Sequence, residues 1–301
     1  MRRVPAPVLF VVGGASMYVG AALAVGLFDR LSPAAVAVLR ILGAGVLLLL
    51  AVRPPKIAWS HRRLRRSVPF GVATALMNAA FYEAIARLPL GTAVALEFCG
   101  PVAVAAVASR RPRDVAAVVL AAGGVALIAD VRWSGSPSGV LWALAAAAMW
   151  AAYIVLGKRV ATAGNGAEDM AVGFTVAAVL CSPVLFLRGA AGLTPLADPG
   201  VLLLAVGVGV LSSVVPYGLD QVVLRRVGRA RFAVLLALLP ATATVIGLLL
   251  LAQLPGPAEG VGIALVVVAV LLRTRDGDVP PEVARTPVRR NEVTEGHHPP
   301  E

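Results

Sequence analysis

The sequence predicts an all-α membrane protein of ten transmembrane helices, arranged as two inverted five-helix repeats with both termini in the cytoplasm. Three observations predict it: a strongly apolar composition, apolar runs of membrane-spanning length, and arginines that concentrate in alternate connections. The 301 residues are 59% hydrophobic and 14% charged, with a mean hydropathy of +0.86. A soluble domain is about half apolar and a quarter charged, so lipid is the main solvent for this chain. Tryptophan and tyrosine are sparse while alanine, valine, leucine and glycine dominate. That favours closely packed helices over an aromatic-girdled β-barrel.

A helix needs about 20 mostly apolar residues to cross the hydrocarbon. Ten runs qualify: 7–28, 34–52, 68–88, 90–109, 114–130, 138–157, 169–187, 200–223, 231–252 and 257–273. The first follows Met1-Arg2-Arg3, but it lacks a cleavage-site pattern and precedes nine further spans. It therefore reads as a retained helix rather than a signal peptide. One set of connections carries Arg2, Arg3, the 53–66 cluster, Arg110, Arg111, Arg113, Lys158, Arg159 and the 225–231 cluster, together with Arg273 and the tail. The other set carries only Arg30, Arg87, Arg132 and Arg188. The positive-inside rule places the first set, and both termini, in the cytoplasm. The net charge of +11 thus orients the protein in its membrane and does not indicate a nucleic-acid partner. Residues 53–67 read as a cytoplasmic surface segment, and the polar, proline-rich tail from Asp276 to Glu301 reads as disordered. The expected domains are 1–130 and 138–273, one five-helix repeat each, followed by the tail 274–301.

The two halves repeat weakly. An offset of 139 superposes Arg87 on Arg226, Pro101 on Pro240 and Gly123 on Gly262, and an offset of 132 pairs Met17-Tyr18 with Met149-Trp150. Five spans per half is an odd number, so the second half enters the membrane inverted. Secondary transporters often use this plan and bind substrate where the repeats meet. Pro101 and Pro240 are helix breaks at corresponding places. Each lacks an N–H, so the carbonyls of Glu97 and Leu236 lose their helical partners. A freed carbonyl at membrane depth has to face protein, water or substrate. A binding cavity and a packing kink are both consistent with this.

Ionisable residues inside the spans are the candidate site. From the 1.5 Å rise, Arg40 lies about 9 Å into span two, Glu97 about 10 Å into span four and Glu83 about 7 Å from the end of span three, all from the same side. An Arg40–Glu97 pair would offset the cost of each charge in hydrocarbon, while Arg40 and Glu83 could also snorkel outward. Asp220 lies near the cytoplasmic end of span eight, where Arg225 is a second partner. Ser16, Tyr18, Asn78 and Tyr82 add polar groups to spans one and three. Such groups line polar paths or bond between helices. Arg40, Asn78, Tyr82, Glu97, Tyr18 and Asp220 are therefore the expected substrate-binding residues, and Glu97 and Asp220 the proton-coupling ones.

Other chemistry is not legible. There is no Walker A, HExxH or GxSxG sequence, and His61, His297 and His298 all lie in a loop or the tail. Cys99 and Cys181 sit in apolar spans without CxxC spacing and read as packing residues. No cofactor and no metal is expected.

The segments FYEAIARLPLGTAVALEFCGPVAVA (81–105) and SSVVPYGLDQVVLRRV (212–227), with Arg40 in AVLRILGAG, resemble the EamA-type drug/metabolite transporter family. The branch they resemble is that of the bacterial inner-membrane threonine/homoserine exporters. The resemblance covers most of 7–273. It implies ten helices in two inverted repeats around a central cavity, and efflux of amino acids or other small metabolites. Span nine departs from the family pattern: Leu239 precedes Pro240 where a glutamate is frequent, and Gln253 stands where the pattern reads LGE. The expectation is a multi-pass plasma (inner) membrane exporter of a small polar metabolite, an amino acid first, with or without proton coupling. Its partners are a small-molecule substrate and the lipid bilayer, and a monomer and a homodimer fit equally well. A drug or nucleoside transporter and a non-transporting intramembrane or lipid-handling protein are the alternatives.

Overall fold

A computed structural model describes residues 4–108, 112–133, 136–161, 166–186, 194–216, 219, 223, 235–236 and 238–274. The described residues form helices and no strand: α1 (Ala6–Leu27), α2 (Pro33–Val52), α3 (His61–Ile85), α4 (Leu90–Glu97), α5 (Cys99–Ala108), α6 (Pro112–Trp133), α7 (Pro137–Ala161), α8 (Gly166–Cys181), α9 (Pro199–Gly209), α10 (Leu238–Leu251) and α11 (Pro257–Thr274). Five of these begin on proline. Proline fits the first helical position because its missing N–H would be unbonded there and its φ is already helical. Ser32 caps α2 by accepting from the Ala35 N–H, and Asp198 caps α9 by accepting from the Gly200 N–H.

Five helices are long and apolar enough to cross a membrane: Pro7–Leu27, Pro33–Val52, His61–Ile85, Pro137–Val160 and Gly166–Phe186. Five shorter apolar helices occupy Leu90–Val104, Val115–Ile128, Pro199–Ser213, Leu238–Leu251 and Pro257–Leu272. Each apolar run of the sequence therefore carries an apolar helix. Large apolar side chains such as Leu50, Val179, Leu203 and Leu249 point outward, as lipid contact requires.

The helices are less uniform than the sequence pattern. Span four is two helices, α4 and α5, divided at Phe98, three residues before Pro101. The helix of span seven ends at Cys181 and tightens to a 3₁₀ segment over Ser182–Phe186. Span eight carries a π turn over Val210–Val214. Residues 53–67 are not simply a surface loop, because α3 begins at His61, and Arg63 and Ser67 are buried. Arg63 is buried because it has a partner: it donates to Asp169 Oδ1 (2.7 Å) and Glu168 Oε2 (2.9 Å) at the start of α8. Arg66 donates to Asp169 Oδ2 (2.9 Å). At the opposite end of the bundle Arg30, before α2, pairs with Asp198, before α9 (2.6 Å), in the open. The Gly200 N–H and Arg30 hold the Asp198 carboxyl below the usual carboxylate range.

Packing runs mainly between helices distant in sequence. α3 packs on α7 and α8, α6 on α11, α2 on α8 and α9, α1 on α9 and α10, α4 on α10, and both α4 and α5 on α7. The crossings are close because glycines sit in them. A Cβ added to Gly71 on α3 would stand 2.0 Å from the Gly173 carbonyl oxygen on α8. Gly124 on α6 and Gly262 on α11 approach reciprocally: a Cβ on either would stand 2.7 Å and 2.9 Å from the other's carbonyl oxygen. Phe70 stacks between Tyr153 and Phe174 (centroids 5.0 and 6.0 Å), joining α3, α7 and α8.

Two stability predictions follow from this packing. Gly71→Ala pushes a methyl into backbone and is expected to destabilise by about 1–3 kcal/mol, whereas Gly26→Ala, with open space around it, is expected to be silent. Thermal unfolding of the two variants in detergent measures the difference. Asp169→Asn leaves Arg63 and Arg66 facing a neutral amide in a buried site and is expected to cost about 3–5 kcal/mol. Asp198→Asn, at the exposed pair, is expected to cost under about 1 kcal/mol. Equal melting temperatures for these two variants would refute the assignment of the buried pair as the stronger clasp.

Candidate functional site: a central cavity between the two halves

A cavity of about 450 Å³ lies inside the bundle, lined from α1, α2, α3, α4, α5, α7, α10 and α11, with Pro216 reaching it from beyond α9. Among its described lining residues Arg40 is the only cation and Glu97 the only anion. Both come from positions the sequence marks, Arg40 from within the continuous α2 and Glu97 from the end of α4. Glu97 is the last residue of α4, immediately before the break at Phe98. Pro101 lies on the cavity wall and explains the break, since it offers the Glu97 carbonyl no N–H. Phe98 packs edge-on against Trp150 of α7 (4.7 Å between centroids), which fixes the break against the second half.

Arg40 does not form an ion pair with Glu97. Its Nη2 donates to the Ser212 carbonyl (3.0 Å), its Nη1 points at the Tyr82 hydroxyl (3.5 Å), and its guanidinium carbon lies 5.7 Å from the Tyr82 ring centroid. Among the described residues every ion pair lies elsewhere, and no protein group bonds the Glu97 carboxyl. The cavity thus presents a guanidinium with spare donors and a carboxyl with spare acceptors.

The other expected site residues divide. Tyr18 and Asn78 line the cavity, and the Asn78 amide donates to the Thr74 carbonyl (2.7 Å). Tyr82 is fully buried and stands behind Arg40, packed between Phe28 and Phe81, rather than on the cavity wall. Glu83, placed at the same depth by the sequence, is taken by Arg87 one turn on and leaves the site. Ser16 bonds the Leu211 carbonyl (2.9 Å). Pro240 sits in the first turn of α10, where its carbonyl accepts from Thr244 (2.9 Å). Asp220 lies outside the described residues.

Among the described residues the rest of the wall is mostly apolar, with Phe10, Met17, Phe98, Trp150, Leu236 and Leu239 on it, and Tyr153 adds a further hydroxyl-bearing side chain. Leu239, where the family pattern favours an acid, is one of these wall residues. Gln253, the other departure, has a structural partner: its Oε1 accepts from the Leu90 N–H (2.8 Å) at the start of α4. Sequence reasoning missed two buried acids. Asp169 stands at the start of an apolar run and reads as a helix-end residue. Glu259 is third in α11, where it reaches back to the Gly256 N–H (3.4 Å) and accepts from the Thr92 hydroxyl. The Gly-Pro-Ala-Glu spacing is the signal of such a cap; nothing local points to Thr92.

The model of the EamA-like transporter family matches residues 137–275. The threonine/homoserine exporter RhtA of Escherichia coli K12 is 35% identical over 266 residues, 87% of this chain and 88% of that protein. RhtA of Salmonella typhimurium LT2 is 35% identical over 259 residues, 84% and 86% of the two chains. A solved crystal structure, 19% identical, superposes with a TM-score of 0.59 over 89% of this chain and 96% of its own, which shows a shared fold. With identity of this level along most of its length, the chain belongs to the EamA-like transporter family.

Proposed function

We propose that the protein is a secondary transporter that exports an amino acid or a similar small zwitterion across the plasma membrane. The observation that carries this is the pair of uncommitted opposite charges in one interior cavity. A zwitterion matches it: its carboxylate meets Arg40 and its ammonium meets Glu97, with Asn78 and Tyr18 adding polar contacts. The relatives named threonine/homoserine exporters support the same substrate class.

The mechanism is alternating access by two inverted five-helix repeats that rock about the cavity, with all ten helices crossing the membrane and both termini cytoplasmic. The packing supports this pairing. Exchanging α1 with α7, α2 with α8, α3 with α9, α4–α5 with α10 and α6 with α11 maps the main contacts between the halves onto one another. The pair α3–α8 becomes α9–α2, and α1–α10 becomes α7 against α4–α5, while α2–α8, α4–α10 and α6–α11 map onto themselves. The reciprocal Gly124–Gly262 approach falls within one residue of the Gly123–Gly262 correspondence, as a two-fold axis near that crossing would require. The clasps Arg63–Asp169 and Arg30–Asp198, at opposite ends of the bundle, exchange helices under the same operation.

Proton coupling belongs to the same proposal, with Glu97 as carrier: a carboxyl that alternates between a proton and a substrate ammonium exchanges the two across the membrane. Asp220 is the second acid in this scheme by its place in the sequence. A second reading, efflux of larger amphipathic cations, is favoured by the mostly apolar wall. These would use Glu97 and leave Arg40 idle.

Flux in proteoliposomes with a panel of labelled amino acids and an imposed pH gradient tests the proposal. Saturable flux of one class is expected. Glu97→Gln and Arg40→Ala are each expected to lower kcat/KM about tenfold or more, the cost of one charged hydrogen bond. Flux and pH response unchanged in Glu97→Gln would remove the coupling role. Loss in Glu97→Gln with none in Arg40→Ala would move the substrate to the cationic class.

A further inference from the structure

The π turn that follows α9 (Val210–Val214) has a cause in the sequence and a consequence at Arg40. In an α-helix the carbonyl of residue 212 bonds the N–H of residue 216; in a π turn the carbonyl of residue 211 bonds that same N–H. Residue 216 is proline. Both carbonyls therefore lose their helical donor at one stroke. The turn itself is closed by the Val215 N–H donating to the Val210 carbonyl, five residues back. Buried in the bundle, the two freed carbonyls need other donors. Ser16 of α1 donates to Leu211 (2.9 Å), and Arg40 of α2 donates to Ser212 (3.0 Å). Gly20 makes the approach feasible, since a Cβ there would stand 2.2 Å from Ser212 Oγ, whose hydroxyl points at the Met17 carbonyl (3.3 Å).

The groups that hold Arg40 are all uncharged: a carbonyl, a hydroxyl and an aromatic face. They fix the guanidinium without neutralising it. Were Glu97 its partner, an incoming carboxylate would first have to break an ion pair. We propose that the Pro216-freed carbonyl of Ser212, with Tyr82, is a positioning device that holds Arg40 without an ion-pair partner and aimed at the cavity as a carboxylate-binding fork, so that Pro216 and Tyr82 set the preference for carboxylate-bearing substrates. This rests on the reading of the cavity as a zwitterion site. It adds that carboxylate recognition is set by the first half's arginine and the second half's backbone acting together.

Pro216→Ala restores the N–H at 216 and turns the Ser212 carbonyl back along the helix axis, away from Arg40. Tyr82→Phe removes the hydroxyl and keeps the ring. Binding of L-threonine and of L-threonine amide, which lacks the carboxylate, is measured by calorimetry on purified protein, with flux of both in proteoliposomes. Wild type is expected to prefer threonine about tenfold or more. Pro216→Ala is expected to lose most of that preference by weakening threonine more than the amide; Tyr82→Phe is expected to lose part of it, and Arg40→Ala all of it. Preference retained in Pro216→Ala and Tyr82→Phe, or both ligands weakened in parallel, overturns the positioning role. Should Pro216→Ala fail to fold, Tyr82→Phe decides alone. Selective binding in wild type without flux would refute the transporter reading and leave the positioning device standing; no preference in wild type overturns the device.

Discussion

In hydrocarbon every backbone N–H and C=O has to find its partner within the protein, and the site of this molecule is built where prolines prevent that. Pro101 leaves the Glu97 carbonyl without its helical donor, and span four divides into α4 and α5 with the Glu97 carboxyl at the division. Pro216 strips the donor from Leu211 and Ser212, and α9 gives way to a π turn whose carbonyls are taken up by α1 and α2. The breaks serve as connection points: the second half lends backbone acceptors to the first half, and the charged side chains of the first half gather around them.

The distribution of charge follows from the cost of burying it. Where opposite charges meet within the described residues they do so near helix ends, as Arg63 and Arg66 with Asp169, Arg30 with Asp198 and Arg87 with Glu83. At those depths water and helix N-termini share the cost of the charge. In the interior, Arg40 and Glu97 face a cavity without an ion pair between them. That arrangement is unfavourable for a structural element and useful for a binding site, because the interaction energy of each group is left for a ligand.

The same small side chains that shorten the distance between helices also tie the halves together. Gly71 against Gly173, Gly124 against Gly262 and Gly20 against Ser212 all join a helix of the first half to one of the second. Lipid gives no hydrophobic drive for helices to associate, so backbone approach and dispersion carry the contact. Contacts made mainly between the halves leave the cavity bounded by both.

The amino-acid sequence by itself determined the all-helical class, the apolar runs and most of the helix starts, because hydropathy period and proline position are local properties. It also determined that Arg40 and Glu97 are out of place in lipid, and that the Glu97 carbonyl loses its helical donor to Pro101. Tertiary structure alone decided that Arg40 is held by the Ser212 carbonyl and Tyr82 while Glu97 is left facing the cavity. Glu83 has the same depth as Arg40 and Glu97 by sequence, yet Arg87 one turn away removes it. Tyr82 reads as a cavity residue and stands behind Arg40, since the face a side chain presents depends on which helices surround it. Asp169, Glu259 and Gln253 carry no sequence signal of their partners and become links to Arg63, Thr92 and Leu90, more than a hundred residues away. The period of a helix is written in neighbouring residues; the identity of a partner across the bundle is set by how the helices cross.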